Sequence, residues 1–209
     1  MTGQLKAVIF DFGGVILDIN YAATDAALRA LLGDSGALRY TKTEQGKIFD
    51  ALEIGAIGPK EFYHSVREAA GREVTDEAIA EAWNAMLGDV PKARFDYIKA
   101  VAKKYRVFLF SNTNAIHKDA FDLTLTRHLG TGGFDKLFEK AYYSHTFGKR
   151  KPHVETYTAL LEDIGVEPNE AIFIDDNLDN IKGAAAAGMQ VFHLTGDLLQ
   201  EPALAYLAK

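Results

Sequence analysis

The chain has 209 residues, enough for one core domain with room for a small insert and for burial of a sizeable core. It is 48% hydrophobic and 25% charged, an ordinary globular composition, and its net charge of −6 argues against nucleic acid as the main partner, because phosphate-backbone binding calls for a basic surface. The absence of cysteine removes disulfides, thiolate metal sites and cysteine nucleophiles; with no signal-peptide layout near Met1 and no apolar run approaching the ~20 residues of a membrane span, a cytoplasmic location and no membrane partner are expected.

In chain order, Ala7-Val8-Ile9-Phe10 is a short β-rich run that ends at Asp11 and is followed by the turn signal Gly13-Gly14. From Asp18 to Gly88 there are helical patterns and no convincing strand: 21–32, 43–54, 60–70 and 75–87, punctuated by Gly33, Gly55, Gly58-Pro59 and Gly71. In the last of these, Trp83, Met86 and Leu87 read as a packed face, with lining of a pocket as the alternative. Pro91 opens a further helix with Phe95, Ile98 and Val101 on one face. A second apolar run, Val107-Phe108-Leu109-Phe110, ends at Ser111-Asn112, and His117 and His128 are expected on a helix surface. A weaker strand at 141–143 precedes Lys149-Arg150-Lys151. Pro152 opens a helix with Tyr157, Leu160 and Leu161 apolar and Gly165 as its stop. A third apolar run, Ala171-Ile172-Phe173-Ile174, ends at Asp175-Asp176. Asn177 caps an alanine-rich helix that ends near Gly188, and a weaker strand follows at 191–194. The three strongest runs do not alternate, which suits strands buried on both faces of a parallel sheet. The expected class is therefore α/β, a doubly wound and mainly parallel Rossmann-like sheet, with core residues 1–17 and 89–209 and an inserted small α-helical cap domain at 18–88.

Ligands of open parallel sheets bind at the carboxyl ends of the strands. Those ends carry Asp11, Ser111-Asn112 and Asp175-Asp176, and the basic cluster around Lys151 follows the weaker strand. Crowded carboxylates repel unless a cation sits among them. Oxygen donors without His or Cys favour a hard ion, magnesium when the substrate is a phosphate. A lysine there would offset phosphate charge, hydroxyl and backbone N–H groups would bind phosphoryl oxygens, and an ionised carboxylate could attack phosphorus. Each residue also has a plain structural reading: Asp11 or Ser111 in a turn, Asp175-Asp176 capping a helix, Lys151 solvated on the surface.

Taken together, Phe10-Asp11-Phe12-Gly13-Gly14-Val15, Leu109-Phe110-Ser111-Asn112-Thr113-Asn114, Lys151-Pro152 and Phe173-Ile174-Asp175-Asp176-Asn177-Leu178-Asp179-Asn180 occur in order, each after its own run. In this the sequence resembles the haloacid dehalogenase superfamily, over nearly the whole chain, with the 18–88 block resembling that family's helical cap. The resemblance implies a magnesium-dependent phosphatase acting on a small phosphorylated substrate. Asp11 would be nucleophile and metal ligand, and the backbone carbonyl of Gly13 a metal ligand. Ser111 and Asn112 would bind the phosphoryl group, and Lys151 would neutralise charge. Asp176 would be a direct metal ligand, with Asp175 binding directly or through water.

One position departs from the family pattern. Most family phosphatases carry an acid two residues after the nucleophile, and here that residue is Gly13. A subgroup resembling bacterial glucose-1-phosphate phosphatases shares this feature. A well-ionising leaving group, a water or Asp18 are the candidates for replacing the acid. Two alternatives stand beside the phosphatase: a metal-independent 2-haloacid dehalogenase, which has no use for paired Asp175 and Asp176, and a catalytically silent binding protein on the same scaffold. Asp11-Phe12-Gly13 also spells a kinase triplet, but no glycine-rich loop or His-Arg-Asp precedes it. The sequence leaves the oligomeric state open.

Overall fold

A computed structural model describes residues 4–33 and 46–209. Its elements in chain order are β1 (Ala7–Phe10), α1 (Tyr21–Leu32), α2 (Lys47–Glu53), α3 (Pro59–Ala70), α4 (Asp76–Asn84), α5 (Lys92–Val101), β2 (Arg106–Ser111), α6 (Ala115–Leu129), β3 (Lys140–Tyr143), α7 (Ser144–Phe147), α8 (Val154–Ile164), β4 (Ala171–Asp175), α9 (Leu178–Ala186), β5 (Gln190–His193) and α10 (Ala205–Ala208). The five strands form one sheet in the order β3-β2-β1-β4-β5, and every neighbouring pair is parallel. The α/β, doubly wound expectation holds. The order reverses direction at β1, which lies between β2 and β4, so Asp11 and Asp175 stand at the switch point of the sheet.

Side chains of a strand alternate between faces, and both faces here are apolar. Val8 and Phe10 of β1, Val107 and Leu109 of β2, and Ile172 and Ile174 of β4 pack with Phe95, Ile98 and Phe121 of α5 and α6. Ala7 and Ile9, Phe108 and Phe110, and Ala171 and Phe173 pack on the other side with Tyr157, Leu160 and Ile181 of α8 and α9. Burial on both faces explains why these runs show no alternation in the sequence.

Helices α1 to α4 assemble a separate apolar cluster from Leu28, Phe49, Leu52, Phe62, Val66, Ile79, Trp83 and Met86, to which α6 contributes Ile116. Trp83 is fully buried and stacks on Phe49 at 4.9 Å, so packing is its role rather than pocket lining. The helix expected over 43–54 is seen as α2; its expected start at Thr43 lies outside the described residues. Pro91 serves as the N-cap of α5 rather than its first residue.

Two strips of chain connect the four helices to the sheet, and they pair with each other. The Asp18 N–H donates to Asp89 O (3.0 Å), Gly88 N–H to Asp18 O (2.8 Å) and Asn20 N–H to Met86 O (2.9 Å), around an antiparallel bridge between Ile19 and Leu87. Among the described residues no helix is long and apolar enough to cross a membrane.

Candidate active site

The parallel ladder between β1 and β4 runs one bond past β1: the Asp11 N–H donates to Ile174 O at 2.9 Å. The chain then leaves the sheet through Phe12 to Leu17, closed by Ile16 and Leu17 N–H groups donating to Phe12 O (both 2.8 Å). Asp11 is thereby fixed at the strand end with its side chain buried, and its Oδ1 accepts from the Phe12 N–H (2.7 Å) and from Lys151 Nζ (2.7 Å).

Lys151 is 1% exposed. Its ammonium donates to Asp11 Oδ1, to Asp175 Oδ2 (2.8 Å) and to Phe110 O (3.0 Å), which uses all three of its protons. Burial opposes this charge, but the carboxylates of Asp11 and Asp175 outweigh it and hold the Lys151 pKa above its ordinary value. The opposite holds for Asp11: burial, then the Asp175 carboxylate, push its pKa well above the usual carboxylate range despite Lys151.

Asp175 ends β4 and is fully buried. Oδ1 accepts from the Asn177 N–H (2.7 Å), the Asn180 amide donates to both oxygens (3.1 and 3.0 Å), and Lys151 takes Oδ2. Both carboxylate oxygens are therefore committed to donors of the chain. Asn177 caps α9, its side chain accepting from the Asp179 N–H at 2.9 Å, and this sets the direction in which Asp176 leaves the strand. Asp11, Asp175 and Asp176 each bring one carboxylate oxygen to within 4.8 Å of the others. One ammonium does not balance three carboxylates. The donor set is oxygen-only and fits a hard divalent cation such as magnesium.

Ser111 ends β2, and Asn112 follows it into the same region. Among the described residues the Ser111 hydroxyl makes only a long contact, to Asn112 O (3.5 Å). The Asn112 side chain is occupied: its amide donates to Lys151 O and its oxygen accepts from Lys151 N–H, both at 3.0 Å. It clasps the backbone that carries the buried lysine. Gly13, Ser111, Asn112, Lys151 and Asp176 all border one cavity of about 680 Å³ together with Asp11. Tyr21, Glu53, Met86 and Leu87 from the helical block, Arg150, and His117 and His193 also line it. Burial, with Asp176 and Asp11 nearby, pushes the Tyr21 phenol above its ordinary pKa. Arg150 ties the loop before Lys151 to α2, pairing with Asp50 and with Glu53 Oε2 (3.0 Å).

Asp18 does not join this cavity. Its carboxylate is paired with Arg94 Nη1 at 2.7 Å and its side chain is 56% exposed. This removes it as a replacement for the acid missing at position 13. Position 13 itself is crowded on one side: a Cβ there would lie 3.0 Å from Ile19 Cγ1.

Residues 5–188 match the model of the haloacid dehalogenase-like hydrolases. The chain belongs to this family. It is 32% identical over 192 residues to a D-ribitol-5-phosphate phosphatase of Bacteroides thetaiotaomicron, covering 90% of this chain and 91% of that protein. It is 31% identical over 200 residues to a sesquiterpene phosphatase of Aspergillus oryzae, covering 95% and 94%. Among solved structures, a haloacid dehalogenase family enzyme of Bacteroides thetaiotaomicron, in complex with magnesium and inorganic phosphate, superposes with a TM-score of 0.81 at 31% identity, over 91% of this chain and 94% of that one. Both curated relatives are named phosphatases, one of D-ribitol 5-phosphate and one of a sesquiterpene.

Two wall residues escape a reading of motifs. His117, expected on a helix surface, is 6% exposed and faces α4. Its sequence signal is its place three residues after the cap Asn114, directly beyond the end of β2. Arg150, read only as part of a basic cluster, is engaged by the carboxylates of α2.

Proposed function

We propose that the protein is a magnesium-dependent phosphatase of a small phosphorylated metabolite, a sugar or polyol phosphate, working through an aspartyl-phosphate on Asp11. The observation that carries this reading is the buried ammonium of Lys151 lodged between Asp11 (2.7 Å) and Asp175 (2.8 Å), with Asp176 completing a carboxylate cluster. A metal-free dehalogenase has no need of that cluster. Asp11, Asp176 and the Gly13 carbonyl would hold the ion. Asp175, whose oxygens are taken by Lys151, Asn177 and Asn180, would orient the lysine and add negative charge beside the ion. Bound there, magnesium supplies charge neutralisation for the carboxylates and the phosphoryl oxygens.

Oδ1 of Asp11 is held by Phe12 N–H and Lys151, so Oδ2 is the attacking oxygen. It forms a bond to phosphorus while the bond from phosphorus to the leaving oxygen breaks. Ser111 Oγ and backbone N–H groups after β2 bind the phosphoryl oxygens, and Asn112 keeps Lys151 in place. The departing oxygen takes its proton from water, because Gly13 has none to give and Asp18 is held by Arg94. The hydroxide left behind takes a proton from the attacking water as its oxygen bonds to phosphorus, the bond from phosphorus to Asp11 breaks with its electron pair returning to the carboxylate, and inorganic phosphate leaves. The helical block at 18–88 acts as a cap hinged on the paired strips around Asp18 and Gly88.

The relatives support the substrate class: one acts on ribitol 5-phosphate. The test is phosphate release from p-nitrophenyl phosphate with and without magnesium, alongside Asp11→Asn. Expected is magnesium-dependent turnover that falls at least about 10³-fold in the variant. Turnover that survives the substitution, or that ignores magnesium, rejects the mechanism.

A further inference from the structure

His117 opens the first turn of α6, where its N–H donates to the capping Asn114 Oδ1 at 3.1 Å. His117 is one of the residues that border the cavity, and its ring stacks on Trp83 at 4.8 Å and 15°. Nδ1 lies 2.7 Å from Oδ1 of Asn84, the last residue of α4. An amide oxygen only accepts, so Nδ1 carries the hydrogen. Burial drives the His117 pKa down to about 3, so the ring is neutral near pH 7 and Nε2 bears a lone pair. That nitrogen is buried and has no hydrogen-bond partner among the described residues. A buried acceptor left unpaired is costly, so a ligand whose hydroxyl reaches it and donates to it is selected. Tyr21 and Glu53 border the same cavity from α1 and α2.

We infer that His117 is a specificity-determining residue whose Nε2 accepts a hydrogen bond from a hydroxyl of the leaving group, selecting phosphorylated polyols and sugars over apolar phosphate esters. The inference rests on the phosphatase reading above. It assigns the helical block a task as well: Asn84 of α4 fixes the tautomer that leaves Nε2 ready to accept.

The experiment compares D-ribitol 5-phosphate, n-pentyl phosphate and p-nitrophenyl phosphate on the wild-type enzyme, His117→Phe and His117→Gln. Ribitol 5-phosphate and pentyl phosphate are both primary alkyl esters of five carbons, so their difference reports the hydroxyls rather than the leaving oxygen. The wild type is expected to favour ribitol 5-phosphate by about 100-fold or more in kcat/KM. His117→Phe keeps the stack on Trp83 and is expected to lose about 10- to 100-fold on ribitol 5-phosphate, mainly in KM, while the other two substrates change less than about 3-fold. Equal losses on all three substrates, or no loss on ribitol 5-phosphate, overturn the inference. Should His117→Phe fail to fold, His117→Gln and the wild-type preference decide, and a wild type that favours pentyl phosphate overturns it. A wild type inactive on p-nitrophenyl phosphate with magnesium instead rejects the phosphatase reading, and this inference with it.

Discussion

Gly14 lies against Asp176: a Cβ at position 14 would stand 2.5 Å from Asp176 Cγ, and Gly14 has a φ of +80°. The turn after β1 and the turn after β4 therefore fit together only because position 14 has no side chain. Gly14→Ala is expected to push the Asp176 carboxylate out of the cluster. Backbone strain adds about 1–2 kcal/mol of destabilisation. Magnesium-dependent turnover should drop at least about 100-fold, and the rise in melting temperature that magnesium gives the wild type should shrink with it. Calorimetry with and without magnesium checks this; an undiminished shift would place Asp176 outside the ion's site.

The ion pair between Arg150 and Glu53 joins α2 to the loop that carries Lys151. Glu53 is nearly buried, with a side chain 6% exposed, whereas Arg150 is 22% exposed. Removing the arginine leaves a buried carboxylate without its cation, a change that costs about 3–5 kcal/mol for a fully buried pair and less here because Arg150 reaches solvent. Arg150→Leu is expected to lower stability by about 2 kcal/mol and to raise KM more than it lowers kcat. Arg150→Leu combined with Glu53→Leu should recover most of the stability. Denaturant unfolding of the wild type, Arg150→Leu, Glu53→Leu and the double variant tests it, and strictly additive losses would show that the pair is not coupled.

The three central strands were legible because burial on both faces leaves runs without a polar residue, as at 7–10 and 107–110. The outer strands were fainter for the same reason in reverse: Lys140 of β3 is exposed and all of β5 is only partly buried. Asp11 and Asp176 stood directly after strands and Lys151 in the loop beyond β3 and α7, so the order of the motifs pointed to one sheet edge. His117 could not be placed in that way, because its burial comes from Trp83 and Asn84, more than thirty residues earlier and on another element. Asn112 shows a further limit. The sequence offers its amide to a phosphate, and the fold spends both ends of that amide on the backbone of Lys151.

Gly13 carries no acid, and Ile19 Cγ1 crowds it on one side. With proton transfer to the leaving oxygen left to water, the rate of the first step should depend steeply on how well that oxygen carries charge. Across a series of substituted phenyl phosphates, kcat/KM is expected to fall at least about 3-fold per unit rise in the pKa of the phenol. Steady-state kinetics over four or five phenols measures the slope. A flat line would mean that some side chain protonates the leaving group.

The buried His117 also makes stability depend on pH. Burial lowers its pKa from 6.5 to about 3, so the unfolded chain takes up a proton at a pH where the folded protein does not. A depressed folded-state value gives stability that is present above pH 6.5 and is lost as pH falls through 6.5 towards 3. Within that window the loss approaches about 1.4 kcal/mol per pH unit. His117→Phe removes the titrating group and keeps the ring stacked on Trp83. The difference in unfolding free energy between wild type and His117→Phe should therefore be constant above pH 7. It should move against the wild type as the solution is acidified, while titrations shared by both proteins cancel. Denaturant unfolding at half-unit steps from pH 7.5 to pH 4.5 gives the measurement. A difference that stays constant across the range would mean that His117 is as easily protonated in the folded protein as in the unfolded chain, and that the cavity wall is open to water there.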